Sequence, residues 1–104
     1  MSKLTPMAVT PHKKFQAFDT ALGRVIADTR KHRKLSQEQL ANRIGMPLSL
    51  LKRVEKGTRS VSVSELETIA DVFRIPASDL AEDAVNMYGG VEKLRAEARG
   101  EPVD

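Results

Sequence analysis

Between Ser36 and Gly57 the chain reads SQEQLANRIGMPLSLLKRVEKG, two short amphipathic segments that meet at one glycine. That junction restricts the fold more than any other feature. Ser36 with Gln39 three residues on is a capping-box pattern that opens a helix, and Leu40, Ala41 and Ile44 then share its inner face. Gly45 closes it, because glycine takes the left-handed conformation at a helix end and lets the chain turn sharply. The next segment carries Leu51 and Val54 inward and stops at Gly57. Two helices crossing steeply around so short a turn need a small residue where their backbones approach, and Ala41 supplies it.

Helical spacing extends on both sides of this pair. Thr10 can cap a helix with Pro11 in its first position, and Phe15, Phe18, Leu22, Val25, Ile26 and Thr29 then follow at intervals of three and four. Asp19 offers a second capping residue, so the pattern describes either one long helix or two. Arg30, Lys31, His32, Arg33 and Lys34 close it with cations suited to the negative end of a helix dipole. Downstream, Ser62 and Glu65 repeat the capping box at the head of a helix whose inward set is Val63, Leu66, Ile69, Ala70 and Phe73. Pro76 and Asp79 precede a short fifth helix with Leu80 and Ala84, and Asn86, Gly89 and Gly90 then break the pattern. The remainder, VEKLRAEARGEPVD, places only Val91, Leu94 and Ala98 on one side, enough for a weak amphipathic helix. Aromatic residues make up 4% of the chain and no alternating apolar run occurs, which argues against strands. The expected fold is all-α: a compact five-helix bundle over residues 19–84, with a partly helical N-terminal extension over 1–18 and an acidic C-terminal extension over 85–104.

The overall charge of +3 conceals a division. Residues 1–59 hold 13 Lys or Arg against 4 Asp or Glu, a net of +9, whereas residues 60–104 hold 4 against 10, a net of −6. A cationic half attached to an acidic tail suits a polyanionic partner on one side. With no cysteine, disulfides and thiolate metal sites are excluded; His12 and His32 remain as imidazole ligands, and no metal or cofactor is expected. No apolar run approaches the roughly 18 residues of a membrane span, and the N-terminus lacks the apolar core of a signal peptide. A soluble, cytoplasmic protein with no membrane partner is the expectation.

The run QEQLANRIGMPLSLLKRVEK has the spacing of a helix-turn-helix. From about Leu22 to Ala84, through LSQEQLANRIG, LLKRVEKG and VSELETIADVFRIPASDL, the chain resembles the lambda-repressor-like, Cro-type (XRE) helix-turn-helix family. The resemblance implies a five-helix DNA-binding domain with its third helix in the major groove and its second over the sugar-phosphate backbone. It also implies a homodimer on a two-fold related site in double-stranded DNA, commonly as a repressor. Carried over position by position, Ser49, Lys52 and Arg53 take groove-facing positions, where Lys or Arg donates to guanine O6 and N7 and Ser donates or accepts. Gln37 takes the place of a glutamine that reaches a phosphate and braces the base-reading side chain. Arg30 and Glu55 match a partly buried salt bridge between helices 1 and 3, a structural pair and not a catalytic one. Arg43, Lys56, Thr58, Arg59 and Ser60 surround helix 3 as candidates for phosphate contact.

The head of helix 3 departs from the family pattern. Where relatives usually carry Ser or Thr, this chain has Pro47, which removes a side-chain cap and a backbone donor together and delays the helix start. Leu48 and Leu50 stand where polar readers often stand; in the groove they would meet thymine methyl groups and favour A·T steps, although Leu50 can instead tuck into the bundle. Val85, Met87, Tyr88, Val91 and Leu94 follow the bundle and are expected to be exposed on a monomer, joining two subunits, holding the Phe15 region or docking a protein partner. An antitoxin or adaptor on the same fold would use those residues with Leu48 and Leu50. An RNA-binding protein would need interleaved aromatics, and an enzyme a catalytic partner for Glu38; neither is present in the sequence.

Overall fold

The computed structural model describes residues 16–101; the expected cap at Thr10 and Pro11, with His12 and Phe15, lies outside them. Six helices follow in order: α1 (Gln16–His32), α2 (Gln37–Ile44), α3 (Leu48–Lys56), α4 (Val63–Phe73), α5 (Ala77–Tyr88) and α6 (Val91–Ala98). No strand occurs among the described residues, so the fold is all-α. It has one helix more than the expected five, because residues 91–98 form a helix of their own that rests chiefly on α5. No helix among the described residues is long and apolar enough to cross a membrane.

Local chemistry accounts for the boundaries. The Ser36 hydroxyl accepts from the Gln39 amide while the Gln39 side chain accepts from the Ser36 amide, and Ser62 and Glu65 do the same at the head of α4. Gly45 ends α2 at φ 69° and Gly57 ends α3 at φ 81°, both left-handed. α1 passes through Asp19 without a break, so Asp19 starts no helix; its carboxylate accepts from the Ser60 hydroxyl at 2.8 Å. α5 likewise continues past Asn86 and is 12 residues long, not short.

The core draws on five helices: Leu22, Val25 and Ile26 from α1, Leu40 and Ala41 from α2, Leu51 and Val54 from α3, Ile69, Ala70 and Phe73 from α4, and Leu80 and Ala84 from α5. Val63, expected to face inward, is instead 79% exposed. It is the first residue of α4, one turn short of Leu66, where the helix reaches the core. α1 and α3 come close together at Gly23, where a Cβ would collide with the Val54 carbonyl oxygen. A glycine in mid-helix costs about 1 kcal/mol relative to alanine. Here it lets α1 and α3 meet backbone to backbone.

Tyr88 corrects the expectation of an exposed C-terminal surface. Because α5 runs one turn further than expected, Tyr88 joins Leu80 and Ala84 on one inner stripe at intervals of four and is only 6% exposed. Its ring meets Phe18 edge to face at 6.0 Å, and Lys93 of α6 places its ammonium 5.0 Å from the ring centroid. Burial first, then the neighbouring Glu97 carboxylate, push the phenol up to about 12. Tyr88 Oη and Glu97 Oε1 are buried side by side without a well-formed hydrogen bond. The residue therefore locks α1, α5 and α6 together and is not available to a partner.

Candidate nucleic-acid interface

The site begins with one buried carboxylate. Arg30, near the end of α1, grips Glu55 of α3 with two parallel hydrogen bonds, Nε to Oε2 at 2.7 Å and Nη2 to Oε1 at 2.9 Å. Its remaining nitrogen donates to the Leu35 carbonyl at 2.8 Å, and Gln37 donates to Glu55 Oε1 at 2.9 Å. The two charged side chains are 9% and 6% exposed. A bidentate arginine–carboxylate contact has a fixed fork geometry, so it sets orientation as well as distance. The orientation of α3 is thus fixed to α1, to the connection after it and to the first turn of α2.

On α3 the buried and exposed residues separate cleanly. Leu51 and Val54 are buried; Ser49, Lys52, Arg53 and Lys56 are exposed. At 3.6 residues per turn Ser49 and Arg53 form one outward stripe, and Lys52 and Lys56 form the next. Pro47 stands at the N-cap with no side-chain cap; its carbonyl accepts from the Leu50 and Leu51 amides, and α3 starts on the following residue. Of the two leucines in question it is Leu48 that packs against the core cluster, while Leu50 is half-buried outside it. The i, i+3 spacing explains this, since Leu48 lies one turn before Leu51.

The connection from α3 to α4 is bonded internally. Thr58 donates through its hydroxyl to the Arg53 carbonyl at 3.2 Å, and Ser60 binds Asp19 as described. Arg59 forms a second fork with Glu65, at 3.1 and 2.9 Å, and also meets the Ser60 carbonyl at 3.3 Å. The Arg59 hydrogen bond, helped by the Ser62 amide, holds the Glu65 carboxyl down to about 2. In the sequence Glu65 is legible only as a cap. The six-residue spacing from Arg59 across a turn gave no periodic signal. Arg43 is exposed in the last turn of α2.

Beyond the bundle Met87 and Val91 are about half exposed, 51% and 50%, while Val85 and Leu94 are half-buried. Among the described residues no group of three or more His, Cys, Asp or Glu converges on a metal position.

A family profile described as helix-turn-helix matches residues 26–80, more than half of the chain. The chain belongs to the lambda-repressor-like, Cro-type helix-turn-helix DNA-binding family. This helix-turn-helix protein is 34% identical over 86 residues to an uncharacterized HTH-type transcriptional regulator of Rhizobium meliloti, R00410, covering 83% of the chain and 62% of that protein. It is also 34% identical over 74 residues to the cryptic phage CTXphi transcriptional repressor RstR of Vibrio cholerae, covering 71% of the chain and 65% of RstR. The helix-turn-helix chain thus spans less than two thirds of the length of these relatives. The crystal structure of the clp gene regulator ClgR from Corynebacterium glutamicum has the same fold, with a TM-score of 0.67 over 80% of this chain and 84% of that one at 19% identity.

Proposed function

We propose that this protein is a sequence-specific regulator of transcription that binds double-stranded DNA as a homodimer and represses from a two-fold related operator. The observation that carries the reading is the outward stripe of Ser49 and Arg53 on a helix whose aim is fixed by the buried Arg30–Glu55–Gln37 cluster. A base-reading helix needs exposed donors on a rigid mount. Arg53 then donates to guanine O6 and N7, Ser49 to either base of its pair, and Leu50 offers an apolar edge to a thymine methyl. Leu48 has less surface to offer because the core takes part of it. α2 lies over the sugar-phosphate backbone, with Arg43 and Lys56 as phosphate contacts. The side chains of Thr58, Arg59 and Ser60 already bond within the chain, which leaves them fewer donors to offer a phosphate.

Selection of bound fragments from random duplex DNA, with affinity followed against salt, tests this directly. A recurrent two-fold motif with half-sites about 34 Å apart is expected. A pool that stays random after selection sinks the proposal. The dimer surface is placed at Met87 and Val91, the exposed apolar residues that follow the core of the bundle. A Met87→Glu, Val91→Glu double variant should sediment as a monomer; an unchanged dimer discards that surface. The same two residues favour a second reading, an antitoxin or adaptor that docks a protein there. It predicts little affinity for any duplex and a weak salt dependence.

A further inference from the structure

Among the described residues a concavity lies beside α3, on the side away from Leu50. It is an open cleft of about 500 Å³ between α1 and α3, with the first turn of α2 at one end. Arg24 and Lys31 of α1 form one wall, Lys52 and Lys56 of α3 the other, and Arg30 and Glu55 lie between them. The acidic groups in the cleft are already engaged. Glu55 accepts from Arg30 and Gln37, and Asp28 stands 3.9 Å from Arg24. Among the described residues no carboxylate pairs with Lys31, Lys52 or Lys56. Lining cations therefore outnumber lining anions, and a concave wall of one sign concentrates the field inside it.

We infer that this cleft holds the DNA backbone: Arg24, Lys31, Lys52 and Lys56 neutralise phosphates of the strand that passes α1, and Lys52 acts there as a positioning residue and not as a base reader. The inference rests on the DNA-binding reading and changes its contact map. Residues four apart on a helix share a face, so Lys52 goes with Lys56, and both share the cleft with α1. Arg53 and Ser49 are on the neighbouring stripe and carry the reading of bases without help from Lys52. α1 becomes part of the interface over two turns, since Arg24 and Lys31 are about 10 Å apart along its axis. Nothing in the spacing of the α1 cations along the chain shows which of them α3 faces.

The test compares Arg24→Ala, Lys31→Ala and Lys52→Ala with Arg53→Ala on a selected duplex and on a scrambled one, from 50 to 200 mM salt. All four side chains are exposed, so folding is expected to survive and is checked by thermal melting. The three cleft variants should lose the same factor on both duplexes and flatten the slope of log affinity against log salt by about one unit each. Their defect is then about three- to four-fold larger at 50 mM than at 200 mM salt. Lys52→Arg should restore the slope. If Lys52→Ala changes the preferred base while the slope stays fixed, the assignment of Lys52 is wrong. If Arg24→Ala and Lys31→Ala leave the slope unchanged, α1 is not on the phosphate path. Inorganic phosphate that competes with the duplex beyond its ionic strength would mark a site for a small anion and overturn the backbone assignment. A wild type that binds every duplex equally, with the cleft variants still flattening the slope, sinks the base-reading proposal but keeps the cleft; one that binds no duplex overturns both.

Discussion

Two arginine–glutamate forks hold the chain around α3, and they stand in different surroundings. Arg30 and Glu55 are 25 residues apart and nearly sealed from water, whereas Arg59 and Glu65 are six apart and 27% and 28% exposed. Both make two short bonds. The first is extended on both sides, since Arg30 also donates to the Leu35 carbonyl and Glu55 also accepts from Gln37. The second closes a surface turn and doubles as the capping box of α4. Water makes the difference between them. A buried charge that loses its partner has nowhere to be solvated, while an exposed one returns to solvent at little cost. The inner fork fixes where α3 points, and the outer one ties the turn after α3 to the head of α4.

Removing one member of each fork should separate the two most widely. Glu55→Ala leaves Arg30 buried without its anion and is expected to cost about 3 to 5 kcal/mol in urea unfolding, whereas Glu65→Ala should cost about 1 kcal/mol. Equal losses would mean that both forks play the same part. Gly23→Ala attacks the same α1–α3 seam without touching a charge. Its Cβ has no room beside the Val54 carbonyl, and overpacking of this kind costs about 1 to 3 kcal/mol. A neutral outcome would show that the seam can yield and that the ion pair alone fixes α3.

The smallest effect belongs to the outer fork and to acid. The folded Glu65 carboxyl sits at about 2 against an ordinary 4.5, so it binds its proton less readily in the folded chain than in the unfolded one. Its contribution is complete above about pH 4.5 and fades as the pH falls toward 2. The stability difference between wild type and Glu65→Gln should be flat at neutral pH and shrink over that window. A difference that stays constant from pH 6 to pH 2 would show that Glu65 acts only as a cap.

Much of this scaffold was legible in the sequence because it follows local rules. The two capping boxes, the turn at Gly45, the stop at Gly57 and the inner faces of α2 and α3 depend on neighbours within a few residues. The features that escaped depend on tertiary contacts. Tyr88 looked exposed because Asn86 and two glycines suggested an earlier helix end, but packing against Phe18 and α6 outweighs the weak propensity of Asn86. Val63 has the right spacing for the core yet stands at the overhanging first turn of α4. Of the site, the outward positions of Ser49, Lys52 and Arg53 were implied by the resemblance to the family, and all three are exposed. That Lys52 faces α1 and that Arg59 is held by Glu65 required the crossing angles of three helices, which no single segment encodes.

In the proposed function a rigidly mounted α3 distinguishes base edges through Arg53. Repeating the selection from random duplexes with Arg53→Ala tests it. The selected motif should relax at one position per half-site, with about 1 to 3 kcal/mol lost on the parent sequence and little lost on the rest. An unchanged motif with affinity reduced uniformly on all sequences would contradict it.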